Sequence, residues 1–332
     1  MRFQFLTEIL PPQVPQSGAS VMPENTASFG DALWTLAKNA LDMLHPEFSE
    51  AMSVCLSILA VILLISIVKL FPKNEEKVSD FVGAVGIGAL LLQKSNSLIG
   101  MSTQTITEIS QYGKMLLGVM TSAMAAQGGV TTSTALYAGT TLFDTVLCSI
   151  LTGFMLPGVS VYLTLSIANA ALGEDTLKKM ADFVKWLSAW VLKTVLYVFT
   201  GYMSITGVIS GTTDAQVLKA AKITISGVVP VVGGILADAS EAVLVGAGVV
   251  RNTAGIYGIL AILSVFAGPF LKIGCHYLLI KVTGTVCGVF GVKRCTDLVD
   301  NYSAAMGLLL AMTGSVCLLQ MISTVCFLRG VG

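Results

Sequence analysis

The chain has 332 residues, 54% of them hydrophobic and only 11% charged, with net charge zero and a mean hydropathy of +0.82. Soluble domains carry roughly 25% charged residues, so this deficit excludes an ordinary water-soluble globule and points to a polytopic α-helical membrane protein. A balanced charge without basic runs interleaved with aromatics excludes nucleic acid as a partner, and the lack of short alternating segments excludes a membrane β-barrel.

Residues 1–30 are rich in Pro, Gln and Ser and carry no basic segment followed by an apolar one. They read as a flexible extracytoplasmic arm and not as a signal peptide. An amphipathic helix is expected over 31–48: Leu33, Leu36, Ala37, Ala40, Leu41 and Leu44 recur at helical spacing, Asp31 suits the N-cap, and His45-Pro46 ends it. Trp34 at its edge fits a membrane interface. Residues 51–328 then read as a single multipass membrane domain of about seven to nine spans, each needing about 20 mainly apolar residues.

The first span is expected at 51–71, followed by Lys69, Lys73 and Lys77. The positive-inside rule puts that loop in the cytoplasm and the N-terminus outside. Phe81–Leu92 is a short Gly-rich apolar run that passes into a polar stretch, Lys94–Gln111. That stretch reads either as an extramembrane extension of the helix or as a face lining a wet cavity. Spans follow at 112–127 and 132–152, the latter with Asp144 near its middle, and at 154–171, with Pro157 near its start. A carboxylate inside a span costs roughly 2.5–3.5 kcal/mol on insertion scales, so Asp144 should face the bundle interior with a partner, as a helix–helix tie or as part of a pathway. Leu177, Met180, Ala181, Val184 and Leu187 make one apolar face over 174–187, with Lys178, Lys179 and Lys185 on the rest, the pattern of an interfacial helix on the cytoplasmic side. The next span runs over 186–210, and three more over 254–271, 274–291 and 303–328. Their flanking Lys272, Lys281, Lys293, Arg294 and Arg329 leave the last third without a decisive orientation.

The segment from Lys219 to Arg251 differs from all of these. Lys219 and Lys222 open it, Pro230, Gly233 and Gly234 break its middle, Asp238 and Glu241 lie deep inside, and Arg251 closes it. Such a mixture fits a broken or re-entrant segment near 223–250, packed inside protein or lining water. Lys219, Lys222, Asp238, Glu241 and Arg251, with Asp144, are candidates for a polar lining or an ion-pair cluster. Asp238 and Glu241 would share a helix face. Two nearby carboxylates can also do acid–base chemistry, but no phosphate-binding loop, HExxH or GxSxG pattern accompanies them, so no catalytic residue and no cofactor is expected. The seven cysteines form no CxxC pair, and a single Cys275-His276 neighbour does not make a metal site. On residues alone, two functions remain: a membrane subunit of a larger assembly, or a secondary transporter with a Gly/Pro-broken midplane site. The break at 223–237 has only a poor counterpart at 81–92, against the internal repeats of a self-contained carrier.

The same segment resembles the stage III sporulation protein AE family. The resemblance rests on Lys219, Ala221-Lys222, Pro230-Val231, Gly233, Asp238-Ala239 and Glu241, then Asn252-Thr253, Gly255 and Gly258, with Gly207-Val-Ile-Ser210 before it. Fainter echoes are Thr107-Glu108, Gly128-Gly129 and Pro157. The resemblance implies a non-enzymatic component of the sporulation channel between mother cell and forespore, in the mother-cell-derived outer forespore membrane. Its implied partners are membrane lipid, the other proteins of the same stage III sporulation A operon and a forespore-side channel protein, and a homo-oligomer fits too.

Overall fold

A computed structural model describes residues 13–23, 29–69, 76–126, 130–205 and 253–329. Nearly all are helical, and no strand occurs among the described residues. The protein is an all-α transmembrane bundle: six described helical stretches are long and apolar enough to cross a membrane. The elements are α1 (Gln16–Ala19), α2 (Phe29–Asp42), α3 (Leu44–Val68), α4 (Glu76–Ala126), α5 (Val130–Ile150), a π-helical turn (Leu151–Met155), α6 (Leu156–Leu172), α7 (Asp175–Ile205), α8 (Thr253–Gly288) and α9 (Lys293–Arg329).

Several spans that the sequence separates are fused. Phe81–Leu92, Lys94–Gln111 and 112–127 form one 51-residue helix, α4. Its polar middle is helical too, and its hydroxyls are satisfied there by carbonyls one turn earlier: Ser102 by Leu98, Thr103 by Ile99, Thr105 by Met101 and Thr107 by Thr103, each at 2.8 Å. Ser95, Ser102, Thr105 and Ser110 are buried, so one side of this stretch packs into the bundle. The spans expected at 132–152 and 154–171 are also one rod. Pro157 removes a backbone donor and crowds the preceding turn. The five-residue π-helical turn just before it absorbs the misfit without ending the helix. The spans expected at 254–271 and 274–291 join in the 36-residue α8, which carries Pro269 inside it. The interfacial helix expected at 174–187 and the span after it are continuous in α7.

Near the N-terminus, α2 ends at Asp42 and His45-Pro46 falls in the first turn of α3, where a proline costs little. Ala32, Leu36 and Ala40 of α2 are buried in a small cluster with Val21 and Leu260, while Trp34 and Leu41 face outward. In α1, Gly18 lies against Ser264 and Val265 of α8 so closely that a Cβ would overlap them.

The bundle is built around α9, whose residues from Ala305 to Met321 are all buried. At one end, the end of α3, the start of α4, the α6–α7 turn and the start of α9 come together. Lys69 at the end of α3 pairs with Asp80 of α4 at 2.6 Å, and Arg294 at the start of α9 approaches the same carboxylate at 3.9 Å. The Arg294 guanidinium also covers Gly173, the left-handed C-cap of α6 (φ 74°). From this turn end the helices run together to a second charged belt. There Glu50 accepts from Lys94 (2.9 Å) and Lys272 (3.0 Å), and Glu47 pairs with Lys272 at 2.9 Å. The distance from Lys69 to Glu50 along α3 is about 29 Å at 1.5 Å per residue, the thickness of a hydrocarbon core.

The belt divides the molecule into two tiers. In the turn tier the outer surface is apolar: Leu56, Leu63, Leu64, Ile67, Phe81, Val82, Val85, Leu278, Val282 and Val286 are exposed. Beyond the belt, α4 exposes no large apolar side chain between Leu90 and Met115.

Candidate functional site

Asp144 lies in the far tier, on α5, and is 1% exposed. A buried carboxylate must be satisfied, since an unpaired charge away from water costs several kcal/mol. Three helices supply its partners. Ser110 Oγ of α4 donates to Oδ2 at 2.5 Å, Lys114 Nζ, one turn on, lies 3.4 Å from the same oxygen, and Gln320 Nε2 of α9 donates to Oδ1 at 2.6 Å. Ser110 and Lys114 are four residues apart and so share a face of α4. Gln320 reaches the carboxylate because α9 passes directly over Gly113, where a Cβ would overlap the glutamine amide. Small residues at a crossing let helices approach closely in this way. Gln320 Oε1 has no hydrogen-bond partner and is buried, as are the hydroxyls of Thr140, one turn before Asp144, and Ser323, one turn after Gln320. The node therefore combines one anion, one cation that is 31% exposed, and unused polar atoms on α5 and α9. Its plain chemical capacity is to tie α4, α5 and α9 and to hold water or a polar group beside them.

The belt at Glu47, Glu50, Lys94 and Lys272 is the second polar cluster. His276, one turn after Lys272, is buried, its Nδ1 placed 2.9 Å from the Lys272 carbonyl and its Nε2 left without a partner. Lys272 reads from sequence as a charge flanking a span, whereas it lies in the middle of α8, neutralised by two glutamates of α3. Ser110, Lys114 and Gln320 were not singled out from sequence. The signal that could have found them is a lone polar side chain inside an apolar run, which is what Lys114 and Gln320 are.

Of the residues expected to form a polar lining, Asp144 alone is described. Lys219, Lys222, Asp238, Glu241 and Arg251, and the break at Pro230, Gly233 and Gly234, lie outside the described residues. Among the described residues no group of three or more His, Cys, Asp or Glu is placed to hold a metal ion.

The model of one protein family, stage III sporulation protein AE, matches residues 24–329. The chain belongs to the stage III sporulation protein AE family. It is similar to "Stage III sporulation protein AE" of Bacillus subtilis (strain 168), with 20% identity over 215 residues, covering 64% of this chain and 54% of that protein. The match thus spans about half the length of that relative. No solved structure matches the fold. Membership makes this a sporulation-related membrane protein, and both clusters described above lie within the matched region.

Proposed function

We propose that the chain is a non-enzymatic membrane subunit of the sporulation channel that links mother cell and forespore. It works there with the other proteins of the stage III sporulation A operon and with a forespore-side channel protein, in the outer forespore membrane. The observation that carries this reading is the family match over residues 24–329, which takes in every long helix of the bundle. The packing supports a subunit over a self-contained carrier, because the axis of the described bundle is filled by α9.

Charge sets the orientation in this reading. Lys69, Lys178, Lys179, Lys293 and Arg294 collect at or beside the turn end, which the positive-inside rule places in the cytoplasm. The N-terminus and the far tier then face the intermembrane space. Lipid surrounds the turn tier, whose outer surface is apolar, and the polar stretch of α4 projects beyond it toward the partners.

Two preparations test the function. Full-length protein isolated from sporulating cells should bring the operon partners with it, and vesicles holding this protein alone should take up no solute. Uptake by the protein alone would replace the subunit with a permease. An Asp144→Asn or Glu241→Gln change that abolished a measurable turnover would replace it with an intramembrane enzyme.

A further inference from the structure

A cavity of about 180 Å³ opens at the turn end, between the α6–α7 turn and the start of α9. Three cationic side chains line it: Lys178 of α7, and Lys293 and Arg294 of α9. Asp175 and Asp297 line it too, with Asn169, Asn301 and the Gly173 turn. We propose that this cavity binds the phosphate of an anionic lipid headgroup.

Among the described residues neither Lys178 nor Lys293 makes an ion pair, and the carboxylate that pairs with Arg294, Asp80, faces its Nε at 3.9 Å and leaves the two terminal nitrogens over Gly173. Three cations against two carboxylates leave the cavity positive. The first turns of α7 and α9 both begin there, and each helix N-terminus adds roughly half a positive charge. Asp175 sits in the first turn of α7, where a carboxylate is already favoured by that dipole. The amides of Asn169 and Asn301 add hydrogen-bonding groups, and Asn301 is held in place by the Tyr162 hydroxyl, which donates to its Oδ1 at 3.2 Å. The volume takes about six water-sized units, enough for a phosphate group with part of its hydration.

A lipid is favoured over free phosphate by what stands next to the cavity. Beyond Lys178, helix α7 turns an aromatic face outward: Phe183, Trp186 and Trp190 are each more than half exposed, with Phe183 tilted against Trp186 and Trp186 stacked on Trp190. Exposed tryptophans of a membrane helix sit at headgroup level. Phe183 and Trp186 lie five and eight residues, about 8 and 12 Å, along α7 from Lys178, so the cavity stands on the outer side of these aromatics, at the level of headgroup phosphates, and basic pockets between transmembrane helices recognise such groups.

The test uses the full-length protein in detergent, with bound lipid counted by native mass spectrometry. Phosphatidylglycerol should be retained over phosphatidylcholine of the same chains. Lys178→Gln and Lys293→Gln should each weaken that preference about fivefold, as expected for loss of one lysine beside an anionic headgroup. Lys178→Arg and Lys293→Arg should keep it, and Lys281→Gln, at the exposed pair with Asp300, should leave it unchanged. Equal retention of the two lipids, or a preference untouched by both glutamine variants, overturns the proposal. Stabilisation by inorganic phosphate that both glutamine variants abolish, without selective retention of phosphatidylglycerol, overturns the lipid as the source of the phosphate.

Discussion

The two tiers of the bundle use the same helices to solve opposite problems. In the turn tier the outside is apolar and charge is confined mainly to the ends, at Lys69–Asp80–Arg294 and at the Glu47/Glu50–Lys94–Lys272 belt. In the far tier polarity also moves inward: Asp144 is sealed among Ser110, Lys114 and Gln320, while the outside is mixed, with Gln104 and Gln111 of α4 exposed and, around the node, Met115, Leu142 and Val146 exposed as well. The difference teaches how a 51-residue helix can serve a membrane about 30 Å thick. Its first part carries an apolar outer surface suited to lipid, and the remainder is tied to α5 and α9 by polar side chains.

Thiol labelling from the aqueous phase is the sharpest way to break this division. Leu64→Cys and Val282→Cys, both more than half exposed in the turn tier, should resist a water-soluble maleimide in membranes and react once lipid is stripped by denaturation. Gln111→Cys and Thr145→Cys, exposed in the far tier, should react in intact membranes opened on that side. In intact membranes the native thiols give little background, since Cys148 alone is not buried among the described cysteines, and the denatured arm is read in a chain whose native cysteines are replaced by serine. Equal protection of all four positions would mean that lipid covers both tiers.

The next effect is on the far-tier node. Asp144→Ala removes the anion that holds three helices and leaves the amide of Gln320 and the hydroxyl of Ser110 without their acceptor. The expected loss is about 3 kcal/mol, the low end for breaking a buried pair because Lys114 reaches water. Asp144→Asn keeps one acceptor oxygen, for Gln320, and turns the other position into a donor that the Ser110 hydroxyl can rotate to accept, forfeiting the charge, so its cost should be about 1 kcal/mol. Both can be read from unfolding in mixed micelles titrated with denaturing detergent. If the two variants cost the same, the carboxylate's charge, and not the node's shape, carries the stability.

These ties explain what the sequence reveals and what it hides. The class of fold is legible because lipid burial leaves its mark on composition, and the long apolar runs at 51–71 and 303–328 fall largely within α3 and α9, which begin about two and three turns earlier than expected. Boundaries fail where a polar residue is read as a contact with water. Lys94–Gln111 reads as an extension of the helix into water or as a wet face, but many of its hydroxyls are satisfied by the helix itself and one side of it is buried. Lys272 looks like a terminus, but its partner Glu50 lies 222 residues earlier. Asp144 stands out as a lone acid in an apolar run, whereas its partners Ser110 and Gln320, 34 and 176 residues away, are linked to it only by the fold. Pro157 marks an irregularity correctly in position, and the π-helical turn turns a break into a bulge.

The belt between the tiers should respond more weakly than the Asp144 node, and for a definite reason. Lys272 and its glutamates retain between 22% and 37% of their side-chain exposure, so water screens the pairs and shares the solvation of whatever is left behind. Lys272→Met keeps the volume and removes the charge, and Lys94 still neutralises Glu50. The expected destabilisation is about 1 kcal/mol. Glu47→Gln in the same background should recover part of it, because Glu47 is the carboxylate that has lost its counter-charge. A double-mutant cycle on Lys272 and Glu47 measures that coupling directly, and additive losses would show that the belt marks the edge of the lipid layer without binding the two tiers together.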